Sequence, residues 1–211
     1  MADWATISAL ATAGGTLVLA GATFASVRSA NRAARVAEQS LLTGIRPLLM
    51  PSRHEDPPQK VGFADDVWVR VPGAGAAARV TDGAVYLAIG IRNMGTGIAV
   101  LHGWHLYPEA RRGDNTPPPL EEFNRLTRDL YIAPGDVGFW QGVFRDPSDE
   151  AFAAARAAIE ARERLTIDVL YGDYEGGQRV ITRFGLSPRG DGDEWLAAVA
   201  RHWNVDRPAP R

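Results

Sequence analysis

The segment "AVYLAIGIRNMGTGIAVLHGWHLYP" (residues 84–108) decides the fold class. Val85, Leu87, Ile89 and Ile91 alternate with Tyr86, Ala88, Gly90 and Arg92. Period two is the signature of a half-buried antiparallel strand. "MGTG" (residues 94–97) then turns the chain. "IAVLHGWHLYP" (residues 98–108) gives a second strand, with Ile98, Val100, His102, Trp104 and Leu106 on one face.

The same grammar extends both ways. Upstream, residues 45–51 change the period from helical to strand-like, and residues 50–60 read as a proline-interrupted loop. Residues 67–71 read as a short strand, and residues 72–83 as a turn with a weak strand. Downstream, residues 109–119 form a polar loop and residues 120–129 a short helix. Residues 130–144 read as strand, Pro-Gly turn, strand. Residues 146–164 read as a helix, with Asp146 as cap, Pro147 at the first position, and Asp149 and Glu150 in the first turn. Residues 165–186 give a hairpin around Glu175-Gly176-Gly177-Gln178, with Leu165, Ile167, Val169 and Tyr171 inward. Residues 190–204 read as a closing helix carrying Trp195, Leu196, Val199 and Trp203. Residues 205–211 read as a flexible tail. Many short strands with turn signals and inserted helices predict a mainly β domain over residues 45–204, an antiparallel β-sandwich rather than a βαβ sheet. There is no internal repeat.

Three turns carry a resemblance. "RNMGTGIA" (residues 92–99) resembles the Asn-x-Gly-x-Gly-x-Ala turn of bacterial immunoglobulin-like domains of the cell-adhesion type. "IAPGD" (residues 132–136) is similar to their next turn, and "LYGDYEGGQRVITRF" (residues 170–184) to their last hairpin. The layout as a whole resembles uncharacterised actinobacterial single-span membrane proteins. The resemblance implies an immunoglobulin-like sandwich. It implies that the asparagine and glycines take unusual dihedrals in the turn while the alanine packs beneath. It implies no catalytic residue.

The first 44 residues have a different character. From Trp4 to Val27 there is no charged residue. As a helix this run reaches about 36 Å, against a hydrocarbon core of about 30 Å. Seven strong apolar side chains favour insertion, while Thr, Ser and Gly oppose it. Ala9-x-x-x-Ala13 and Gly21-x-x-x-Ala25 offer flat faces for a neighbouring helix. A cleaved signal peptide needs a basic n-region, and only Asp3 is charged there. A soluble helix needs a polar face. The reading that accounts for length and charge together is a transmembrane anchor over residues 1–27, meeting the lipid bilayer through residues 4–27. Arg28, Arg32, Arg35 and Arg46 follow at once, so the positive-inside rule puts the C-terminal domain in the cytoplasm, on a single-pass inner-membrane protein. Residues 28–44 continue as a helical stalk ending near Gly44, with Val27, Ala30, Ala34, Ala37 and Leu41 recurring at helical spacing.

Composition excludes several chemistries. The chain has 211 residues, 23 Lys plus Arg, 25 Asp plus Glu and no cysteine, for a net charge of −2. No basic surplus points to nucleic acid. Without cysteine there is no disulfide and no thiolate nucleophile or ligand. The 45% hydrophobic content is that of a folded chain. His102-x-x-His105 is the pair closest to a metal motif, but strand positions three apart face opposite ways. His54 and His202 have no partner in sequence. "GDGDE" (residues 190–194) lacks the spacing of a calcium loop. Asp168, Asp173 and Glu175 lie on or near the final hairpin, but alternation separates Asp168 from Asp173. Trp68, Trp104, Trp140, Trp195 and Trp203 fit core and edge packing. No catalytic, cofactor-binding or metal residue is assigned, and no cofactor. The expected function is a membrane-anchored, non-enzymatic interaction or accessory module, with a protein partner or a second copy of the chain. The alternatives are an enzyme with a loop-built site holding His102 or the 168–175 carboxylates, and an extracellular binding domain if the topology is reversed.

Overall fold

The structure is a computed structural model that describes residues 3–111, 113 and 116–206. The chain divides between Gly44 and Ile45 into two compact units. The first is a single helix, α1 (Trp4–Gly44), unbroken over 41 residues. At about 1.5 Å per residue it is about 60 Å long. None of its residues is buried. Its most apolar window has a mean hydropathy of 1.5, so the helix is long and apolar enough to cross a membrane. Its hydroxyls do not wait for water. Thr12 donates to the Ser8 carbonyl at 2.9 Å, Thr16 to Thr12 at 2.9 Å and Thr23 to Leu19 at 2.8 Å. Bonds of this kind let a polar side chain sit on an apolar helix at reduced cost.

The second unit contains β1 (Leu49–Pro51), β2 (Gln59–Gly62), β3 (Trp68–Val71), β4 (Gly75–Val80), β5 (Val85–Asn93), β6 (Ala99–Tyr107), β7 (Asn124–Ile132), β8 (Val137–Phe144), α2 (Glu150–Glu160), β9 (Leu165–Gly172), β10 (Val180–Pro188) and β11 (Glu194–Asn204). The unit is mainly β, and all its pairings are antiparallel. β5 carries β1 and β4 along one edge and β8 along the other. A second run of neighbours is β11–β10–β9–β6–β7. β11 joins the two runs, because its first residues pair with β4, Glu194 opposite Ala77.

One core lies inside. Val85, Leu87, Ile89 and Ile91 from β5 meet Trp140 and Phe144 from β8, Trp104 from β6, Ile167 and Val169 from β9, and Phe184 from β10. Phe152, Ala155, Ala158 and Ile159 of α2 join the same cluster at helical spacing. A second layer covers the other face of β5. There Tyr86 and Ala88 pack with Val61, Phe63, Val69 and Val71 of the β2–β3 hairpin and the residue after β2. The half-buried reading of β5 is therefore corrected: Val85 through Ile91 are buried on both faces.

Four other expectations change. Residues 120–129 hold only a short 3-10 turn at Leu120–Glu122, and β7 then starts at Asn124. Residues 190–204 are not a helix but the eleven-residue strand β11. Its alanines favour helix, yet Trp195 and Ala197 reach the core on period two and the backbone completes the β10 ladder. Long-range pairing outweighs local propensity here. The cap of α2 is Asp149, whose carboxylate accepts from Ala151 N at 2.9 Å; Asp146 instead accepts from Ser148. Of the expected tail, Val205 N bonds the Arg179 carbonyl and Asp206 pairs with Arg179 at 2.7 Å. Residues 207–211 lie outside the described residues.

Candidate functional site

Asn93 explains the "RNMGTGIA" turn. Its side-chain oxygen accepts from Leu48 N at 3.2 Å and Gly95 N at 2.9 Å. Its amide nitrogen donates to the carbonyls of Gly97 at 2.7 Å and Ile132 at 3.0 Å. All four capacities of the amide are filled. Its backbone also bonds Gly135 N and the Asp136 carbonyl. One buried side chain thus ties together β1, the β5–β6 turn and the β7–β8 turn. The glycines serve space, not dihedral freedom. Neither Gly95 nor Gly97 has positive φ. A Cβ on either would collide with the backbone of residues 45–48. Ala99 lies fully buried beneath.

At the same end a buried relay runs through three side chains. Leu49 N donates to the Tyr171 hydroxyl at 3.1 Å, Tyr171 meets Thr182 Oγ1 at 2.9 Å, and Thr182 meets His202 Nδ1 at 2.7 Å. The proton order is consistent in one direction when His202 is neutral and accepts at Nδ1. Burial, then the Arg46 charge, hold the His202 imidazole below its usual range. Burial pushes the Tyr171 phenol up. The His202 shift makes a stability prediction. A histidine depressed in the fold contributes fully above its unfolded value of 6.5, and that contribution is lost as pH falls through and below 6.5. Urea midpoints should therefore drop between pH 7.5 and 5.5. His202→Gln, which cannot charge, should flatten that slope.

The other residues singled out by sequence do not converge. A bulge between Leu101 and Gly103 changes the parity of β6. Ala99 and Leu101 therefore point into the core before the bulge, in place of Ile98, Val100 and His102, while Trp104 and Leu106 after it lie on the core as expected. The bulge also overturns the opposite-face reading of the histidines. His102 lies against Gly172, and His105 is in register with Asp168 on the same side of β9. Four strand residues, or about 13 Å, separate the two. His105 Nδ1 lies 3.1 Å from the Glu122 carbonyl. His54 is exposed on its loop.

Asp168 pairs bidentately with Arg183, 2.7 Å at each oxygen, and both side chains are buried. Burial pushes the Asp168 carboxyl up, and Arg183 offsets this only in part. Arg183 also stacks over Trp203 at 4.8 Å. Asp173 ties its own turn, accepting from Gly177 N and Gln178 Nε2, while Glu175 is exposed. In the "GDGDE" loop the cation held is an arginine: Arg162 donates to the carbonyls of Arg189, Gly190 and Gly192. Among the described residues, no three of His, Asp or Glu gather as metal ligands. Of the tryptophans, Trp104, Trp140 and Trp195 are core, Trp203 is buried with Phe123, Leu170 and Ile181, and Trp68 is 61% exposed over Gly62.

The feature that sequence reasoning missed is a cleft. β7 ladders only with β6, and β8 only with β5. The two strands flank the Ala133–Asp136 turn but share no ladder with each other. The β6–β7 ladder skips residues 126–129 of β7. Arg128, in that stretch, reaches across to Gln141 Oε1 at 2.7 Å and to the Gly62 carbonyl at 3.2 Å. On one side of this bridge a cavity of about 160 Å³ is lined by Phe63, Trp104, Arg125, Gly142 and Phe144, among others. On the other, about 230 Å³ is lined by Ala64, Arg128, Val143 and Arg145 with Phe63 and Gln141. Trp104 forms the floor, edge-on to Trp140 at 5.4 Å and Phe144 at 5.0 Å. Gly142 keeps space open for the two indoles, since a Cβ there would strike both. Arg145 lies 3.4 Å from Asp65, which also accepts from Tyr86 at 2.6 Å. The Tyr86 hydrogen bond holds the Asp65 carboxyl below the usual carboxylate range. The only signal in sequence was Arg125-x-x-Arg128, in a segment read as helix.

No protein-family model, curated protein or solved structure matches this chain.

Proposed function

We propose that the protein is a single-pass inner-membrane protein whose anchor holds an immunoglobulin-like domain in the cytoplasm, where it docks a protein partner without catalysing a reaction. The observation that carries this reading is the pair of strand edges, β7 and β8, each laddered on one side only and flanked by arginines. Strand edges are templates for other chains unless they are blocked. The interior ionisable groups support the same reading, because Asp168, Arg183, Asp173 and His202 all bond to the domain's own residues.

The immunoglobulin-like assignment is supported by neighbour order. β1–β5–β8 and β10–β9–β6–β7 follow the A–B–E and G–F–C–C′ orders of such domains, and Trp104 sits on the strand that usually carries the core tryptophan. The β2–β3–β4 insertion and β11 are additions to that plan. The anchor is supported by α1, whose uncharged first half exposes Leu10, Leu17, Leu19 and Phe24. The orientation is supported by Arg28, Arg32, Arg35 and Arg46 following the span.

The full chain is expected to sediment with membranes and to resist salt and alkaline carbonate; a chain lacking residues 1–27 should stay in the supernatant. A reporter fused to the C-terminus should be active only in its cytoplasmic form. Co-purification from membranes with tandem mass spectrometry tests docking. If no protein is enriched and the purified chain turns over small molecules, the docking reading fails.

A further inference from the structure

We infer that the cleft between β7 and β8 receives an acidic segment of extended polypeptide, laid along the free edge of β8. The inference rests on the docking reading above and gives it an occupant. The first argument is backbone chemistry. In an antiparallel strand every second residue turns its N–H and C=O away from its partner, and β8 has a partner only in β5. These groups match the backbone of another polypeptide strand. β7 offers a poorer edge, because residues 126–129 leave the ladder.

The second argument is charge. Arg125, Arg128 and Arg145 line the two cavities, and no described Asp or Glu lines either of them. This happens in a chain of net charge −2, so the local sign runs against the whole. Arg125 is exposed, and exposed Arg145 would exchange Asp65 for a carboxylate of the incoming strand, while Arg128 would release Gln141 and the Gly62 carbonyl to let that strand pass. The third argument is shape. Beneath the edge, exposed Ala64 and half-buried Leu126 and Val143 offer apolar surface, which suits alternate side chains that point down while acidic ones point out. A single nucleic-acid strand would fit the charge but needs exposed rings on which to stack. Trp104 and Phe144 are 4% and 8% exposed, turned edge-on to their neighbours.

The test uses the full chain in detergent and a fluorescent Glu–Val alternating peptide of about ten residues, the length of a long strand. Fluorescence anisotropy should show saturable binding that weakens with salt. A Lys–Val peptide should not bind. Nor should a Glu–Val peptide methylated on every amide nitrogen, which keeps its charge but has no N–H to donate to a ladder on either edge. Arg125→Glu with Arg145→Gln reverses one exposed cation and removes the other without setting a negative charge beside Asp65; the surface pair lost is weak, so the melting curve should shift little while affinity falls at least about tenfold. Three results overturn the proposal: no saturable binding of the Glu–Val peptide, equal binding of its methylated form, or equal binding by the double variant. A membrane partner that co-purifies equally with parent and double variant also overturns it, and leaves the docking reading standing.

Discussion

Asn93→Ala is expected to cost the β domain about 4 kcal/mol, a quarter or more of the roughly 5–15 kcal/mol that stabilises a typical fold. The substitution removes two acceptor and two donor bonds at once. It strands Leu48 N, Gly95 N and the carbonyls of Gly97 and Ile132, in a place where the side chain is fully buried. A buried group left without its partner costs about 1–3 kcal/mol, and the four losses share one cavity, so they do not add in full. Asn93→Asp should be about as harmful, because it keeps the acceptor, deletes both donors and buries a charge. Urea unfolding followed by tryptophan fluorescence is the measurement. Thr96→Ala, an exposed change in the same turn, is the control and should stay within about 0.5 kcal/mol.

The second large effect concerns Asp168 and Arg183. Either alanine substitution alone should destabilise by about 3–5 kcal/mol, since each leaves a buried, unpaired charge. Replacing both, as Asp168→Leu with Arg183→Met, should recover most of the loss. A buried pair gains much of its attraction back only by paying desolvation, and apolar side chains of similar volume avoid that term. The double variant keeps a flexible side chain packed beneath Trp203, where the Arg183 guanidinium now stacks. If the double variant is no more stable than the worse single one, the pair holds the outer face of β9 and β10 by geometry that packing cannot replace.

How far sequence alone reaches can be judged residue by residue. β5 and the β9–β10 hairpin are legible because Val85, Leu87, Ile89 and Ile91, and Leu165, Ile167, Val169 and Tyr171, alternate onto the core. Asn93 is legible as a turn residue, though its reach to Ile132, 39 positions away, is not. The errors share a cause. Residues 190–204 and 120–129 read as helices because "EWLAAVARHWN" and "LEEFNRLTRD" contain good helix formers, while residues 130–132 of β7 read as strand. β11 and β7 are strands because distant partners, β10 and β6, supply ladders that local propensity cannot see. The bulge at His102 likewise has no local signature, and it reverses the face of every later residue in β6. The cleft was hidden for the same reason. Arg125, Arg128 and Arg145 come together only after β7 leaves its ladder and the β2–β3 hairpin has covered β8.

The position of β11 has a consequence in time. Ala77 and Glu194 pair across the junction of the two strand runs, yet they are separated by 117 positions of sequence. At roughly 5–20 residues per second, translation delivers Glu194 about 6–23 s after Ala77. Throughout that interval β4 can pair with β5 but has no neighbour on its other edge. Helix α1, which precedes the domain in the chain, is complete while that domain is still open along the seam. The clock of the ribosome, and not only the stability of the finished fold, then governs how long the nascent domain is exposed to wrong pairing.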